Sequence, residues 1–302
     1  MNESTVRPGT PGAWILAVRP KTLPAAAAPV ILGVAVAALE TSVRWDLALA
    51  CLAVALVLQI AANLANDYFD ARSGVDQPGR LGPLRVTHAG LLSPDAVLAG
   101  LSLCLSVGTL IGMWVATVVG WWLLGLGAAC LAGAVAYTAG PLPLARLGLG
   151  EAAALVFFGP VATTGTFAVL AGWPTGVAWL AGLIPGLHAA AIMATNNLRD
   201  LHSDAGAGKH TLAVRLGERG ARRLPLALVL VGNLLAGPVA WLADRPLAAA
   251  ALALVPLSWP LLRSYLRTPI SPTLNEVLAR TGRWELATSL VVAVALHAGA
   301  LM

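Results

Sequence analysis

The chain has 302 residues, of which 58% are hydrophobic and only 11% are charged, and its mean hydropathy is +0.79. Soluble domains carry about 25% charged residues, so this composition excludes a water-soluble globular protein. The net charge of +5 is not accompanied by any nucleic-acid-binding motif, and the class that fits the composition is a membrane protein.

The apolar residues are grouped into nine stretches, each long enough to cross a bilayer as a helix and bounded by charged residues, glycine or proline. The predicted spans are residues 23–40, 47–69, 95–115, 118–137, 151–171, 177–198, 224–242, 246–265 and 284–301. The sequence therefore predicts an all-α, polytopic membrane protein. We expect a single domain over residues 1–302, with a polar N-terminal tail at 1–13.

The basic residues are distributed unevenly between the two sides that these spans define. If the N-terminus is inside, 17 of the 19 Lys and Arg residues lie on the inner side, and only Arg44 and Arg245 lie outside. The positive-inside rule then predicts a cytoplasmic N-terminus. Two long polar loops, predicted at 70–94 and 199–223, lie on the same side. We therefore expect the chemistry of the protein on its cytoplasmic face.

A cluster of acids and amides stands at the inner end of the second span. Helical spacing places Asn63, Asp67 and Asp70 on one face, because residues three and four apart are neighbours. Asn66 lies beside them, and Asp76 follows in the loop. Oxygen ligands without histidine or cysteine favour magnesium over zinc. The cluster predicts a magnesium site, against the alternative that these acids only cap a helix or contact water.

The inner end of the sixth span repeats this pattern. Asp200 and Asp204 are four residues apart, and Asn197 lies three residues before Asp200, so oxygen atoms again share one helix face. The predicted topology puts both clusters on the same side of the membrane and at the same depth. Their combined charge calls for two magnesium ions, or for one ion with a polyphosphate.

Basic side chains surround both clusters, and they could bind the phosphate oxygens that metal ions leave free. The candidates are Arg72, Arg80, Arg85, Arg199 and Lys209. Arginines in inner loops also follow from the positive-inside rule alone. Lys209 is the strongest candidate because it lies in the Gly-rich turn 205–209. The predicted ligand is therefore an anionic diphosphate.

These residues resemble the UbiA superfamily of intramembrane aromatic prenyltransferases, whose two Asp-rich motifs follow the second and sixth of nine transmembrane helices. Several further strings are similar to the MenA branch of that superfamily. They are Arg19–Pro24, Asn66–Asp76, Tyr137–Leu144, Asn197–Asp200 and Gly208–Gly217. Gly74 stands where many members carry a third acid, and the spacing to Asp76 is similar to that of the MenA branch. The resemblance covers residues 14–300.

The resemblance implies a magnesium-dependent polyprenyltransferase with nine helices around a central cavity. Its reaction would be transfer of a polyprenyl group from polyprenyl diphosphate to 1,4-dihydroxy-2-naphthoate, with decarboxylation, giving demethylmenaquinol in menaquinone biosynthesis. The residues with implied catalytic roles are Asp67, Asp70, Asp200 and Asp204, and those with implied contacts to the aromatic acid are Arg19, Lys21 and Tyr137. The implied location is a bacterial plasma membrane, with membrane lipid around the protein and the active site facing the cytoplasm.

Two alternatives within the superfamily and one of a different class stay open from the sequence. A prenyltransferase for another aromatic acceptor, or a terpene cyclase, would carry the same Asp-rich motifs. A secondary transporter would also have many spans and intramembrane polar residues. A transporter is expected to place such residues on broken helices in the middle of the bilayer, whereas the clusters here stand at inner helix ends.

Overall fold

The structure is a computed structural model that describes residues 6–73, 81–138 and 148–298, with side chains throughout except at 70–73 and 131–138. All regular secondary structure in these three ranges is helical, which confirms the all-α class. Seven helical segments within them are long and apolar enough to cross a membrane. The chain is therefore a multi-pass membrane protein.

The described residues of the first half of the chain form seven α-helices, two pairs of which form bent rods. They are α1 (Pro11–Val18), α2 (Leu23–Ala37), α3 (Trp45–Ser73), α4 (Pro94–Val119), α5 (Trp122–Thr138), α6 (Gly150–Val156) and α7 (Ala162–Ala171). The rod of α1 and α2 bends at Arg19, whose φ of 53° is left-handed, because the α-helical region is disfavoured before Pro20. α6 and α7 are joined by a π-helical turn at Phe157–Val161, where Pro160 interrupts the regular helix.

The second half of the chain contains seven more helices. They are α8 (Gly176–Arg199), α9 (Leu201–Gly206), α10 (Leu212–Leu234), α11 (Ala236–Leu242), α12 (Leu254–Leu257), α13 (Trp259–Arg267) and α14 (Leu274–Ala298). A 3-10 segment at Pro246–Ala253 precedes α12. The hydroxyl groups of Thr175 and Thr211 accept hydrogen bonds from backbone N–H groups in the first turns of α8 and α10, which fixes where these helices begin.

Residues 199–223 are not the loop that their charge predicts, because α9 and the first half of α10 lie there. The interpretation as a loop was wrong because it equated charge with irregular structure. A helix at a membrane interface can expose one charged face to water and needs no continuous apolar run. Gly217, with a φ of 65°, kinks α10 within this interfacial part.

Helices occupy all nine predicted spans within the described ranges. Seven correspond to the segments of membrane-spanning length and composition. The fourth predicted span corresponds to α5, of which 17 residues are described. The ninth corresponds to α14, whose first half carries Glu276, Arg280 and Arg283 and which is not among the seven segments of membrane-spanning composition.

α8 lies at the centre of the bundle, where it contacts α2, α6, α10 and α14. Many of its buried residues are small, including Ala181, Gly182, Ala190 and Ala194. Small residues let neighbouring helices approach closely, as they do in transmembrane bundles. Because α8 is enclosed on several sides, its C-terminal end, which carries the second predicted cluster, has a fixed position in the bundle.

Exposed tryptophans collect at the ends of the helices opposite the two acid clusters. They are Trp45, Trp121, Trp122, Trp173 and Trp241. Tryptophan is enriched at membrane–water interfaces because its ring is both apolar and able to donate a hydrogen bond. This tryptophan belt marks one interface, and the acid clusters lie towards the other.

Candidate active site

Asp67 is completely buried near the end of α3, and one of its carboxylate oxygens accepts hydrogen bonds from two arginines. Arg19 Nη2 donates to Asp67 Oδ1 at 2.9 Å, and Arg85 Nη1 donates to the same atom at 3.2 Å. The other oxygen, Oδ2, is buried without a hydrogen-bond partner among the described residues. An unpartnered buried acceptor is costly, so this oxygen is suited to bind a cation that enters the site.

Hydrogen bonds from Asn63 join α3 to the bend between α1 and α2. Its Nδ2 donates to the backbone oxygen of Val18 and to Thr22 Oγ1, both at 2.9 Å. Gln59 Nε2 also donates to Thr22 Oγ1, at 3.3 Å. The nitrogen of Asn63 therefore has a structural role, and its carbonyl oxygen is the atom that could bind a metal ion.

Arg199 is the buried centre of the second cluster and is only 2% exposed. Its Nε and Nη2 donate to the two carboxylate oxygens of Asp200 at 2.9 and 2.6 Å. This bidentate geometry is the strong form of an arginine–carboxylate pair. Nη2 also donates to Asn196 Oδ1 at 2.8 Å. The residue predicted to bind diphosphate thus neutralises one of the predicted metal ligands.

Asn275, at the start of α14, joins the second cluster to the chain segment that follows the first. Its Oδ1 accepts from Arg199 Nη1 at 2.7 Å, and its Nδ2 donates to the backbone oxygen of Leu81 at 2.9 Å. Both partners are far from Asn275 in sequence, so this contact was not predictable from local spacing. Through it, the end of α8 and the segment after α3 are held at the same end of the bundle.

Lys209 pairs with Asp204 in the turn that follows α9. Lys209 Nζ donates to Asp204 Oδ1 at 2.8 Å, and the backbone N–H of Lys209 donates to the backbone oxygen of Asp204 at 3.0 Å. Gly208 supports this tight turn with a φ of 68°, which glycine adopts without a steric penalty. The Gly-rich turn thereby brings the ammonium group onto the second cluster.

Glu151 is a buried acid outside the predicted site, in the first turn of α6. Its Oε1 accepts a hydrogen bond from Asn197 Nδ2 at 2.9 Å, and its Oε2 is buried without a partner among the described residues. The positive end of the helix dipole stabilises a carboxylate at this position. The sequence does contain a signal for it, because Glu151 is the only acid in the predicted span 151–171.

The remaining residues of the predicted first cluster and its surroundings are described only in part. Asp70, Arg72 and Tyr137 lie on the helices α3 and α5, but their side chains are outside the described set. Asp76 and Arg80 lie outside the described residues altogether. Their predicted roles therefore stay predictions.

Lys21 lies against the start of α14. Its backbone oxygen faces Gly282. The pKa of Glu276 is lowered, mainly by the hydrogen bond from Arg283 and further by the positive charge of Lys21. Lys21 is thus placed beside the last helix, whereas its predicted companion Arg19 contacts the first acid cluster.

Asn66 of the first acid cluster is half-buried on α3.

The chemistry of these side chains fits magnesium. The candidate ligands are carboxylate and amide oxygens, and Asp67 Oδ2 and Glu151 Oε2 are buried oxygens to which no described group donates a hydrogen bond. Among the described side chains, no three from His, Cys, Asp and Glu stand close enough to hold a metal ion by themselves. Magnesium commonly completes its coordination with water and substrate phosphate oxygens, so the described carboxylates and amides are compatible with a shared metal–diphosphate site.

The fold defines a class of intramembrane helical proteins that includes solved structures with bound diphosphate substrates. A UbiA homolog from Archaeoglobus fulgidus bound to GPP and Mg²⁺ matches with a TM-score of 0.65 at 15% identity, over 94% of this chain and 99% of that chain. The model of the UbiA prenyltransferase family matches residues 26–274. The chain belongs to the UbiA prenyltransferase family.

Two bacterial relatives with the same name are similar over most of the chain. The 1,4-dihydroxy-2-naphthoate octaprenyltransferase of Mycobacterium leprae is 38% identical over 283 residues, which cover 94% of this chain and 95% of that protein. The protein of that name from Mycobacterium tuberculosis is 41% identical over 222 residues, which cover 74% and 76% of the two chains. The resemblance to the superfamily is thereby confirmed.

Proposed function

We propose that this protein transfers a polyprenyl group from polyprenyl diphosphate to 1,4-dihydroxy-2-naphthoate, with loss of carbon dioxide, giving demethylmenaquinol in menaquinone biosynthesis. One structural observation supports the shared diphosphate site on which this reaction depends. Arg199 and Asn275 join the acidic end of α8 to the segment that follows the acidic end of α3. Relatives named for this reaction, at 38% and 41% identity, support the choice of acceptor.

The reaction joins the first carbon of the prenyl chain to a ring carbon of the acceptor. The allylic C–O bond breaks and the diphosphate leaves with its electron pair, a C–C bond forms to the ring, and the acceptor acid loses carbon dioxide and a proton. Negative charge develops on the leaving diphosphate, so cationic groups around it stabilise the transition state. Water would compete for the allylic carbon, so this carbon has to lie in the dry interior of the bundle.

Both acid clusters would hold magnesium, which we expect as two ions that neutralise charge on the diphosphate. The proposed oxygen ligands are Asn63, Asn66, Asp67, Asp70, Asp76, Asn197, Asp200 and Asp204. Metal-bound structures of family members, such as the one with GPP and Mg²⁺, support the use of a divalent ion. The two unpartnered buried carboxylate oxygens of the site are consistent with a missing positive charge.

The ion pairs at the two clusters have to be exchanged when substrate binds. Arg199 and Lys209 now neutralise Asp200 and Asp204. With magnesium bound to the acids, Arg199 and Lys209 would be available for phosphate oxygens, together with Arg72 and Arg80. Arg19 would likewise be released from Asp67.

A released Arg19 would bind the carboxylate of the aromatic acceptor together with Lys21 and Tyr137. Arg19 is the residue at the bend of the first rod, and its guanidinium already reaches the first cluster at 2.9 Å. A guanidinium matches the planar geometry of a carboxylate. This placement would put the acceptor between the metal–diphosphate site and the first rod.

We also propose nine crossings around a central cavity in a bacterial plasma membrane, with the N-terminus and the active site on the cytoplasmic side. The excess of basic residues on the side of the acid clusters supports this orientation. The tryptophan belt at the opposite ends of the helices is consistent with it.

The direct test is incubation of the purified protein with magnesium, a labelled polyprenyl diphosphate and 1,4-dihydroxy-2-naphthoate, followed by measurement of product mass. We expect a product whose mass equals that of the acceptor acid plus the prenyl group minus carbon dioxide and one hydrogen, and no product in EDTA. Product with 4-hydroxybenzoate but not with dihydroxynaphthoate would assign another acceptor. A cyclised hydrocarbon formed without acceptor would assign a terpene cyclase.

Two substitutions test the assignment of the acids. Asp67→Asn and Asp200→Asn each remove a carboxylate charge without changing side-chain size, so we expect turnover to fall by about a hundredfold or more. Asp46→Asn is the matched control, because Asp46 is an exposed acid at the other end of α3 whose ion pair, in the described ranges, is with Arg44. Full activity of both site variants would show that the two clusters do not carry the reaction.

A further inference from the structure

A cleft of about 340 Å³ lies between α10 and α13, apart from the two acid clusters. Its lining residues are Leu226, Trp259, Leu262, Arg263, Leu266 and Arg267. None of them takes part in the contacts of Asp67, Asp200 or Asp204. Its volume lies in the range of small-molecule sites, about 300–1,000 Å³. The reaction proposed above gives this cleft no role.

Polarity changes from one end of the cleft to the other. Arg267 lies in the last turn of α13 and Arg263 lies one turn before it, both exposed, whereas Trp259 begins the helix. At 1.5 Å per residue, Trp259 lies about 12 Å below Arg267 along the helix axis. The cleft therefore has two guanidinium groups at its rim and an indole and leucine side chains below them.

The rim of the cleft is held together by Arg222 of α10. Its Nη1 donates to the backbone oxygens of Tyr265 and Thr268, at 3.1 and 2.7 Å, so it caps the C-terminus of α13. Its Nε donates to Glu218 at 2.9 Å. The hydroxyl group of Tyr265 is in turn hydrogen-bonded to Thr281 of α14 at 2.6 Å. The two walls are therefore fixed relative to each other.

No acid in the described part of the chain neutralises the positive charge at this rim. Among the described residues, neither Arg263 nor Arg267 forms an ion pair, and the cleft has no acidic lining residue. Glu218, the acid next to it, is already paired with Arg222. By contrast, Arg283, on the same side of the protein, pairs with an acid of α14 at 2.8 Å.

We propose that this cleft binds one anionic phospholipid, with its phosphate held by Arg263 and Arg267 and an acyl chain lying against Leu226, Trp259 and Leu262. Basic pockets between transmembrane helices are suited to anionic headgroups, since guanidinium groups bind phosphate oxygens in a bidentate way. The apolar wall below the rim fits an acyl chain and not a free phosphate. A lipid can enter the cleft directly from the surrounding bilayer, because the cleft opens on the outer surface of the bundle.

The test is native mass spectrometry of the detergent-purified protein titrated with phosphatidylglycerol and, separately, with phosphatidylcholine. We expect the wild type to retain one phosphatidylglycerol and to prefer it over phosphatidylcholine. In the double variant Arg263→Gln/Arg267→Gln, loss of about 1 kcal/mol per arginine predicts about thirty-fold weaker binding of phosphatidylglycerol.

The matched control is Arg280→Gln/Arg283→Gln, which removes the same charge from exposed positions of α14 on the same side. It should bind phosphatidylglycerol like the wild type. Equal weakening in both double variants would show general charge attraction and would refute a built site, as would unchanged binding in the Arg263/Arg267 variant.

A second variant tests the same lipid site if Arg263→Gln/Arg267→Gln is unstable. Leu266→Glu places a negative charge at an exposed position in the cleft wall, so it should weaken phosphatidylglycerol binding without affecting phosphatidylcholine. Thermal unfolding in detergent provides an independent readout, because a ligand that binds only the folded state raises the unfolding temperature. Absence of this rise with phosphatidylglycerol in the wild type would also contradict the inference.

Discussion

At the level of single residues, the buried carboxylates of Asp67 and Glu151 have the same pattern of hydrogen bonding. Asp67 and Glu151 each have one oxygen that accepts hydrogen bonds and one that is buried without a partner among the described residues. Removing one member of a buried ion pair costs about 3–5 kcal/mol, because the other charge is left uncompensated. Substitutions of Arg19 or Arg85 are therefore expected to destabilise the protein as well as the site.

Glu151 is the residue whose role follows from the structure alone. Because Asn197 Nδ2 donates to Glu151, the carbonyl oxygen of Asn197 would be the atom available to a metal ion in the proposed site. Groups that orient metal ligands typically change metal affinity by about 10–100-fold when they are removed. We expect Glu151→Ala to weaken Mn²⁺ binding, measured by electron paramagnetic resonance, by about that factor. Glu151→Gln should have a smaller effect, since its amide oxygen can still accept from Asn197.

The control for Glu151 is Glu218→Gln, which changes a half-exposed acid on the same side of the protein. Its Mn²⁺ affinity should match the wild type. If Glu151→Ala bound Mn²⁺ normally and kept a normal magnesium dependence of turnover, Glu151 would be only a packing residue. If Glu151→Gln were as impaired as Glu151→Ala, metal binding would depend on the negative charge of Glu151 and not on its hydrogen bond with Asn197.

At the scale of secondary-structure elements, the position of Glu151 depends on a close contact between α8 and the turn that joins α6 to α7. A Cβ atom added to Gly159 would lie 2.6 Å from the backbone oxygen of Gly182, and one added to Gly186 would lie 2.5 Å from that of Leu155. Real Cβ atoms do not approach backbone atoms so closely. The glycines thus allow the two helices that carry Glu151 and Asn197 to meet.

We expect Gly186→Val to separate these helices and to destabilise the protein by at least about 1–3 kcal/mol, the usual cost of overpacking. Thermal unfolding in detergent measures the effect, and turnover should fall with it because Glu151 moves away from Asn197. Gly112→Val on α4 is the matched control, since a Cβ atom there has nothing within 4 Å. Similar unfolding temperatures for both variants would show that the contact is loose enough to adjust.

At the scale of the whole molecule, charge and aromatic residues define opposite faces. The tryptophan belt lies at one face, and the ends of α3 and α8 with their acids lie at the other. Basic residues at a cytoplasmic interface are favoured during membrane insertion. The bundle is therefore polarised along its axis, with the candidate site towards the basic face.

This orientation is testable with single cysteines in a variant in which Cys51, Cys104 and Cys130 are replaced by alanine. Glu218→Cys lies on the basic side, and Trp173→Cys lies in the tryptophan belt, where Trp173 is 95% exposed. In intact cells a membrane-impermeant maleimide should label Trp173→Cys and not Glu218→Cys. Labelling of both after permeabilisation controls for reactivity. The reverse pattern in intact cells would place the active site outside.

The sequence by itself determined the all-helical class, the helices at the predicted spans and the two stretches rich in Asn and Asp. These features are local: an apolar run of membrane length or a spacing of three and four residues is visible within one helix. The same local reasoning failed at residues 199–223, because a charged interfacial helix has no apolar run. The family resemblance was equally local, since it rested on short strings.

Only the tertiary structure decided which partner each side chain of the site has. Arg19 meets Asp67 across 48 residues, Asn197 meets Glu151 across 46, and Arg199 meets Asn275 across 76. Helical periodicity relates residues within about two turns and carries no information about contacts between helices. Packing between helices decides which carboxylate is neutralised by which arginine, and which oxygens are without a partner among the described residues.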